Sequence, residues 1–151
     1  MRLSLEDFQT TVEFPTHWGD MDSARHVNNL VYLKWAETAR VIYFEAMNMN
    51  TAFAGEGTGT ILGWQDCKYI FPMTHPDTVV VGVRTSEILE DRFTLQTAVF
   101  SKNHERIVAV SHQVMVPYNY SELRKVAMPQ EWIDGIEKIE SADWFAKLQA
   151  S

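Results

Sequence analysis

Between Val31 and Met47 the apolar positions recur every three or four residues. Val31, Trp35, Ala39, Ile42 and Ala46 share one stripe, and Tyr32, Ala36, Tyr43 and Met47 widen it. That spacing places the side chains on one face of an α-helix. Only Lys34, Thr38 and Glu45 make a polar stripe, so the helix offers more apolar surface than a solvent-facing helix needs. Asn29 is placed to cap the first turn through its side-chain carbonyl, which predicts a helix from there to about Met47. Glu37 and Arg40 fall beside Leu33 and Phe44, where they are expected to be partly covered and to pair with each other.

After MNMNTAFAGEGTG, a turn-rich run, the pattern changes to short segments rich in Val, Ile, Thr and aromatics. ILGWQDCKYIF, TVVVGVRTSEI, RFTLQTAVFS and RIVAVSHQVMVPY read as strands. LEDR around Asp91 and KNHE around Asn103 read as hairpin connections. Residues 8–17, with Phe8, Val12 and Phe14, suit a first strand of modest strength. Pro129 to Ile139 suits a short helix with proline in its first turn, and Ser141 to Leu148 a second. The predicted order is strand, long apolar helix, four antiparallel strands, C-terminal helices. One helix with so much apolar surface needs a sheet to wrap it. A curved antiparallel sheet around one long central helix uses every piece, an α+β domain over residues 1–151. VVVGV and AVFS are expected to leave an edge and an apolar surface that a second copy covers.

The chain has 151 residues, 46% of them hydrophobic, enough for one domain with a core. Its 13 basic and 20 acidic residues leave a net charge of -7. A general affinity for nucleic acid or anionic membrane is therefore not expected, although a few placed arginines could hold an anionic small ligand. The single cysteine, Cys67, cannot close an intrachain disulfide, so a reducing compartment is the default. MRLSLEDFQT lacks an apolar stretch of signal-peptide length, and no segment approaches the ~20 apolar residues of a membrane span. The expectation is a soluble, cytoplasmic protein.

The chemistry gathers in GDMDSARHVNN, Gly19 to Asn29, directly before the helix. Asp20 and Asp22 would project the same way from extended chain. As a calcium loop counted from Asp20, the sixth and twelfth places hold Arg25 and Val31 instead of Gly and Glu, so that reading fails. Asp22 and His26 alone are too few ligands for zinc, and no metal is expected. A carboxylate, an imidazole and two carboxamides beside a helix N-terminus suit a different task. The unpaired N–H groups there can stabilise the oxyanion of an acyl transfer, while the carboxylate attacks a carbonyl or deprotonates water. Ser23 lacks the flanking glycines of a nucleophile elbow, Cys67 falls inside a strand, and no phosphate-binding glycine loop occurs.

WGDMDSARHVNNLVYLKWAETAR resembles the signature of the 4-hydroxybenzoyl-CoA thioesterase family of hotdog-fold proteins, in its acyl-CoA thioesterase branch. The shared features are an Asp-x-Asp pair, His-Val-Asn-Asn, a tyrosine three residues on, and Glu-x-x-Arg on the helix. The resemblance implies a sheet wrapped around the central helix, assembly as a homodimer or dimer of dimers (a homotetramer), and active sites at the dimer interface. It implies hydrolysis of an acyl-CoA to a free acid and CoA. Asp22 would be nucleophile or general base, and the backbone N–H near Asn29 the carbonyl-polarising donor. His26 and Asn28 would shape the substrate site, with Tyr32 beside them. Glu37 matches a helix position that bears the catalytic acid in some members. No cofactor is implied, since CoA enters as part of the substrate.

Arg25 departs from the pattern. Many relatives have glycine immediately before the histidine, free to adopt left-handed geometry that a side chain penalises. The expectation is that the loop takes a different path here, or that Arg25 meets a CoA phosphate. Three other readings stay open: a thioesterase for acyl groups on a carrier protein's phosphopantetheine arm, a hotdog dehydratase, and a non-catalytic acyl-binding module. A basic patch around Arg124 and Lys125 at the pocket mouth would serve CoA and carrier protein alike.

Overall fold

The computed structural model describes residues 2–49 and 57–150. Asn50 and Gly55, read from sequence as turn residues, lie outside the described residues. The chain forms β1 (Thr10–Pro15), α1 (Asn29–Ala46), β2 (Thr58–Tyr69), β3 (Thr78–Ile88), β4 (Phe93–Ser101), β5 (Arg106–Asn119), β6 (Arg124–Lys125), α2 (Gln130–Ile139) and α3 (Ala142–Ala150). Among the described residues no helix is long and apolar enough to cross a membrane.

One antiparallel sheet runs in the order β1-β3-β4-β5-β2, with β6 on the far end of β5. It curls around α1 as the hotdog arrangement requires. Alternation decides which side chains enter. Val79, Val81 and Val83 of β3 and Phe93, Leu95 and Val99 of β4 meet Tyr32, Trp35, Ala39, Tyr43 and Phe44 of α1 in a single core. The helix buries these residues, while Ala46, at the end of the predicted stripe, is exposed. Arg40 is covered, but its partner Glu37 stays 65% exposed, with 3.7 Å between them.

Three expectations change. The strand after α1 does not pair with the next one. Residues 70–77, with Pro72 and Pro76, are no tight turn, and they carry the chain from β2 at one edge to β3 beside the other edge strand, β1. VVVGV and AVFS therefore lie in interior strands, and the apolar open edge belongs to β2. There Ile61, Leu62, Tyr69 and Ile70 are exposed and Trp64 is 57% exposed. Pro129 stands just ahead of α2 as its N-cap rather than inside the first turn.

The C-terminal helices close the core. Trp132 meets Phe93 edge-on at 6.1 Å, and Ile136 is fully buried. Gly135 permits this approach: a Cβ there would lie 2.9 Å from the Met47 carbonyl oxygen.

Candidate active site

The polar loop is a compact turn built on its own backbone. Met21 and Val27 form a bridge at its base, and the Val27 N–H donates to Met73 O at 2.8 Å. The Arg25 N–H donates to Asp22 O at 2.9 Å, and Arg25 takes φ 63°. The left-handed residue is retained, with an arginine bearing the strain in place of glycine. The expectation of a different geometry at this position is corrected. The turn's own hydrogen bonds offset a penalty of roughly 1–2 kcal/mol.

The two aspartates do not form a joint site. Asp20 Oδ2 accepts backward from the His17 N–H at 2.8 Å, and Asp20 O accepts from the Asn28 N–H at 2.9 Å. Asp22 works forward: Oδ1 accepts from the Ala24 N–H at 2.9 Å and Oδ2 from Asn28 Nδ2 at 3.1 Å. Asp20 is a turn residue, whereas Asp22 is an exposed carboxylate tied to the helix start. Among the described residues no group of three or more His, Cys, Asp or Glu side chains is disposed to hold a metal ion.

Asn28, not Asn29, is the N-cap. Its Oδ1 accepts from the Leu30 N–H at 2.9 Å, and its carbonyl accepts from Val31 N–H at 3.0 Å. Two adjacent asparagines have equal intrinsic claims to the position. The bond from the Asn28 N–H to Asp20 O fixes Asn28 in extended geometry, and Asn29 becomes the first helical residue. The Asn29 N–H then has no acceptor among the described residues. It is the orphan donor of an 18-residue helix, at the positive end of its dipole.

Beside that donor lies an open cleft of about 290 Å³ between the loop, the helix start and the end of β2. His26, Val27, Asn29 and Tyr32 line one side, and Tyr69, Ile70, Phe71 and Pro72 the other. Drug-sized ligands generally occupy ~300–1,000 Å³, so one chain encloses only part of a large substrate. Tyr69 donates its hydroxyl to Asn29 O at 2.8 Å, joining the walls, and Tyr32 meets Tyr69 edge-on at 5.2 Å. Burial, with Cys67 nearby, pushes the Tyr69 hydroxyl up to about 12, so it remains a donor at neutral pH. Burial also raises the Tyr32 hydroxyl and the Cys67 thiol, which favours their neutral forms.

Of the site residues read from sequence, the structure gathers His26, Asn29 and Tyr32 in the cleft wall. Asp22 is joined to it through Asn28. Arg25 is exposed on the loop, and Glu37 is on the outer flank of α1, paired with Arg40. Arg124 and Lys125 sit at the Asn119 end of β5, which pairs with Thr58, the opposite end of β2 from the cleft. Arg124 is bound to Glu122 at 2.9 Å, so these residues form no basic mouth within the chain. The Tyr69–Pro72 wall is the part that sequence reading missed. KYIF signals a strand but not its approach to a loop some forty residues earlier.

Comparison with known proteins bears on the family and the fold. The thioesterase-like superfamily matches residues 16–139. A putative thioesterase from Pseudomonas aeruginosa is 28% identical with a TM-score of 0.73, covering 82% of this chain and 94% of that one. A thioesterase from Thermus thermophilus, complexed with coenzyme A and Zn, is 25% identical with a TM-score of 0.78, covering 89% and 96%. A 1,4-dihydroxy-2-naphthoyl-CoA thioesterase from Synechocystis shares the fold at 17% identity, with a TM-score of 0.75 over 84% and 94%. Comparison with curated proteins finds no match. With its family match spanning loop, helix and sheet together, the chain belongs to the thioesterase-like superfamily and has the hotdog fold.

Proposed function

We propose that the protein hydrolyses acyl-CoA thioesters to a free acid and CoA. Superfamily membership supports thioester hydrolysis, and the Thermus neighbour with coenzyme A bound supports CoA as the carrier. The observation that carries the reading is the Asn29 N–H, which has no acceptor among the described residues, on a residue that lines the cleft and directly follows Asn28, whose amide holds Asp22.

The thioester carbonyl oxygen accepts from the Asn29 N–H, which polarises it. Asp22 takes a proton from water as the oxygen attacks, or attacks the carbonyl itself and is released by water afterwards. Negative charge develops on the carbonyl oxygen at the positive end of the helix, where fixed donors need no reorganisation; one such donor is generally worth ~10²–10³ in rate. Collapse of the tetrahedral intermediate breaks the C–S bond. On the general-base route the CoA thiolate takes up the proton held by Asp22. On the direct-attack route solvent protonates the thiolate before water hydrolyses the acyl-aspartate. Asn28 orients the carboxylate through Nδ2 and caps the helix through Oδ1, so one side chain aligns base and oxyanion donor.

The apolar edge of β2 supports pairing with a second copy, which would extend the sheet and complete the half-open cleft. Release of thiol across a panel of acyl-CoA esters tests the proposal. Turnover of at least one ester class is expected. Binding of acyl-CoA without turnover would instead identify an acyl-binding module.

A further inference from the structure

We infer that Arg106, held against Phe71 at the rim of the cleft, is the anchor for the phosphate esters on the pantetheine arm of the substrate. This rests on the thioesterase reading and adds a binding residue to it. The Arg106 guanidinium lies over the Phe71 ring, 4.8 Å from its centroid, and Phe71 is part of the cleft wall. His104 meets the same ring at 4.6 Å. Arg106 is exposed and has no carboxylate partner among the described residues, unlike Arg40, Arg92, Lys102 and Arg124. A guanidinium stacked on a ring keeps its planar fork free for bidentate contact with phosphate.

Other cations near the cleft are less well placed. Lys68 projects from the face of β2 opposite Cys67 and Tyr69, because neighbouring strand residues alternate. Arg106 comes from a braced hairpin. The buried Asp77 carboxylate accepts from the Ser101 hydroxyl and from the N–H groups of Thr78 and Asn103. Asn103 Nδ2 donates to Pro76 O at 2.7 Å, and the His104 N–H to Ser101 Oγ at 3.2 Å. These bonds tie the β4–β5 turn to the segment that follows Phe71, and the stacking on Phe71 keeps the guanidinium beside the cleft wall. In a chain of net charge -7, a polyanionic substrate needs such a local cation.

Calorimetric titration tests this without relying on hydrolysis. CoA, 4′-phosphopantetheine and pantetheine are each titrated into the wild-type protein, R106Q and R106K, with thermal unfolding as a control for folding. R106Q is expected to weaken CoA about tenfold, as loss of a charge-assisted contact does. Pantetheine should be unaffected, and R106K should recover part of the loss. An equal loss on 4′-phosphopantetheine also supports the contact and assigns it to the phosphate nearest the arm, which a carrier protein shares. A loss on CoA alone assigns it to the nucleotide phosphates. An unchanged CoA affinity in R106Q, or an equal loss on pantetheine, overturns the inference. Absent thiol release with CoA binding still dependent on Arg106 would count against the proposed hydrolysis alone.

Discussion

The two ends of α1 hold polar clusters of opposite character. At the N-terminus Asp22 and Asn29 are exposed, Asn28 is half-buried, and the Asn29 N–H has no acceptor among the described residues. At the C-terminal half the Tyr43 hydroxyl donates to Glu140 Oε2 at 2.6 Å and shares a hydrogen bond with Thr85 Oγ1 at 2.7 Å. The Thr85 N–H also donates to Glu140 Oε2, and Trp144 Nε1 donates to Thr85 O at 2.7 Å. Tyr43, Thr85 and Glu140 are all buried. The second cluster is satisfied and sealed, and it locks the C-terminal helices onto the sheet. The first keeps unused hydrogen-bonding capacity where a substrate can arrive. Polar residues at the two ends of one helix thus differ in exposure and satisfaction, and the proposed function assigns chemistry to the exposed end alone.

The contrast breaks most sharply at Asp22. Asp22→Asn should reduce thiol release at least ~10²-fold, the usual worth of a positioned base, while unfolding stays within about 0.5 kcal/mol of wild type. Wild-type-like turnover would transfer the role to Glu37. At the sealed end the pattern should reverse. Tyr43→Phe should lower stability by about 1–3 kcal/mol in denaturant titration, because Glu140 loses a buried donor, with kcat nearly unchanged.

The same cluster gives a pH test. Burial raises the Glu140 carboxyl above its ordinary range, with the Tyr43 and Thr85 donors opposing. The folded chain therefore binds this proton more tightly than the unfolded chain. The stabilisation is fully present below the unfolded carboxyl's range and is lost as pH rises through the folded value. Unfolding titrations of Glu140→Gln against wild type should show the wild-type protein losing relative stability across that window. A constant difference would mean that the carboxyl titrates alike in both states.

Asn28→Ala should cost about 1 kcal/mol, the usual worth of an N-cap, and also lower kcat by freeing Asp22. Loss of stability without loss of rate would show that Asn28 only caps. The smallest effect is at Arg25. Arg25→Gly should raise the unfolding midpoint slightly, through relief of up to about 1 kcal/mol of left-handed strain, and Arg25→Ala should not.

Helix and strand positions were legible because burial leaves a period of about 3.6 or 2 in the chain. The resemblance carried Asp22, Asn28 and Asn29 to the start of the helix, where the structure has them. Local pattern does not encode which strands pair, so β2 as the open edge beside β5 was not legible. Nor was the choice of Asn28 as cap, which depends on a bond to Asp20 from the folded loop. The left-handed Arg25 escaped because the penalty on a side chain is of the same order as the turn hydrogen bonds opposing it. Phe71 and Arg106 meet only through the β4–β5 hairpin, across thirty-five positions of sequence.

The most direct measurement is a crystal structure with a non-hydrolysable acyl-CoA analogue that keeps the carbonyl. The account places the carbonyl oxygen within about 3 Å of the Asn29 N–H, with Asp22 in reach of the carbonyl carbon directly or through one water. A carbonyl bound beside Glu37, or turned away from the start of α1, would contradict it.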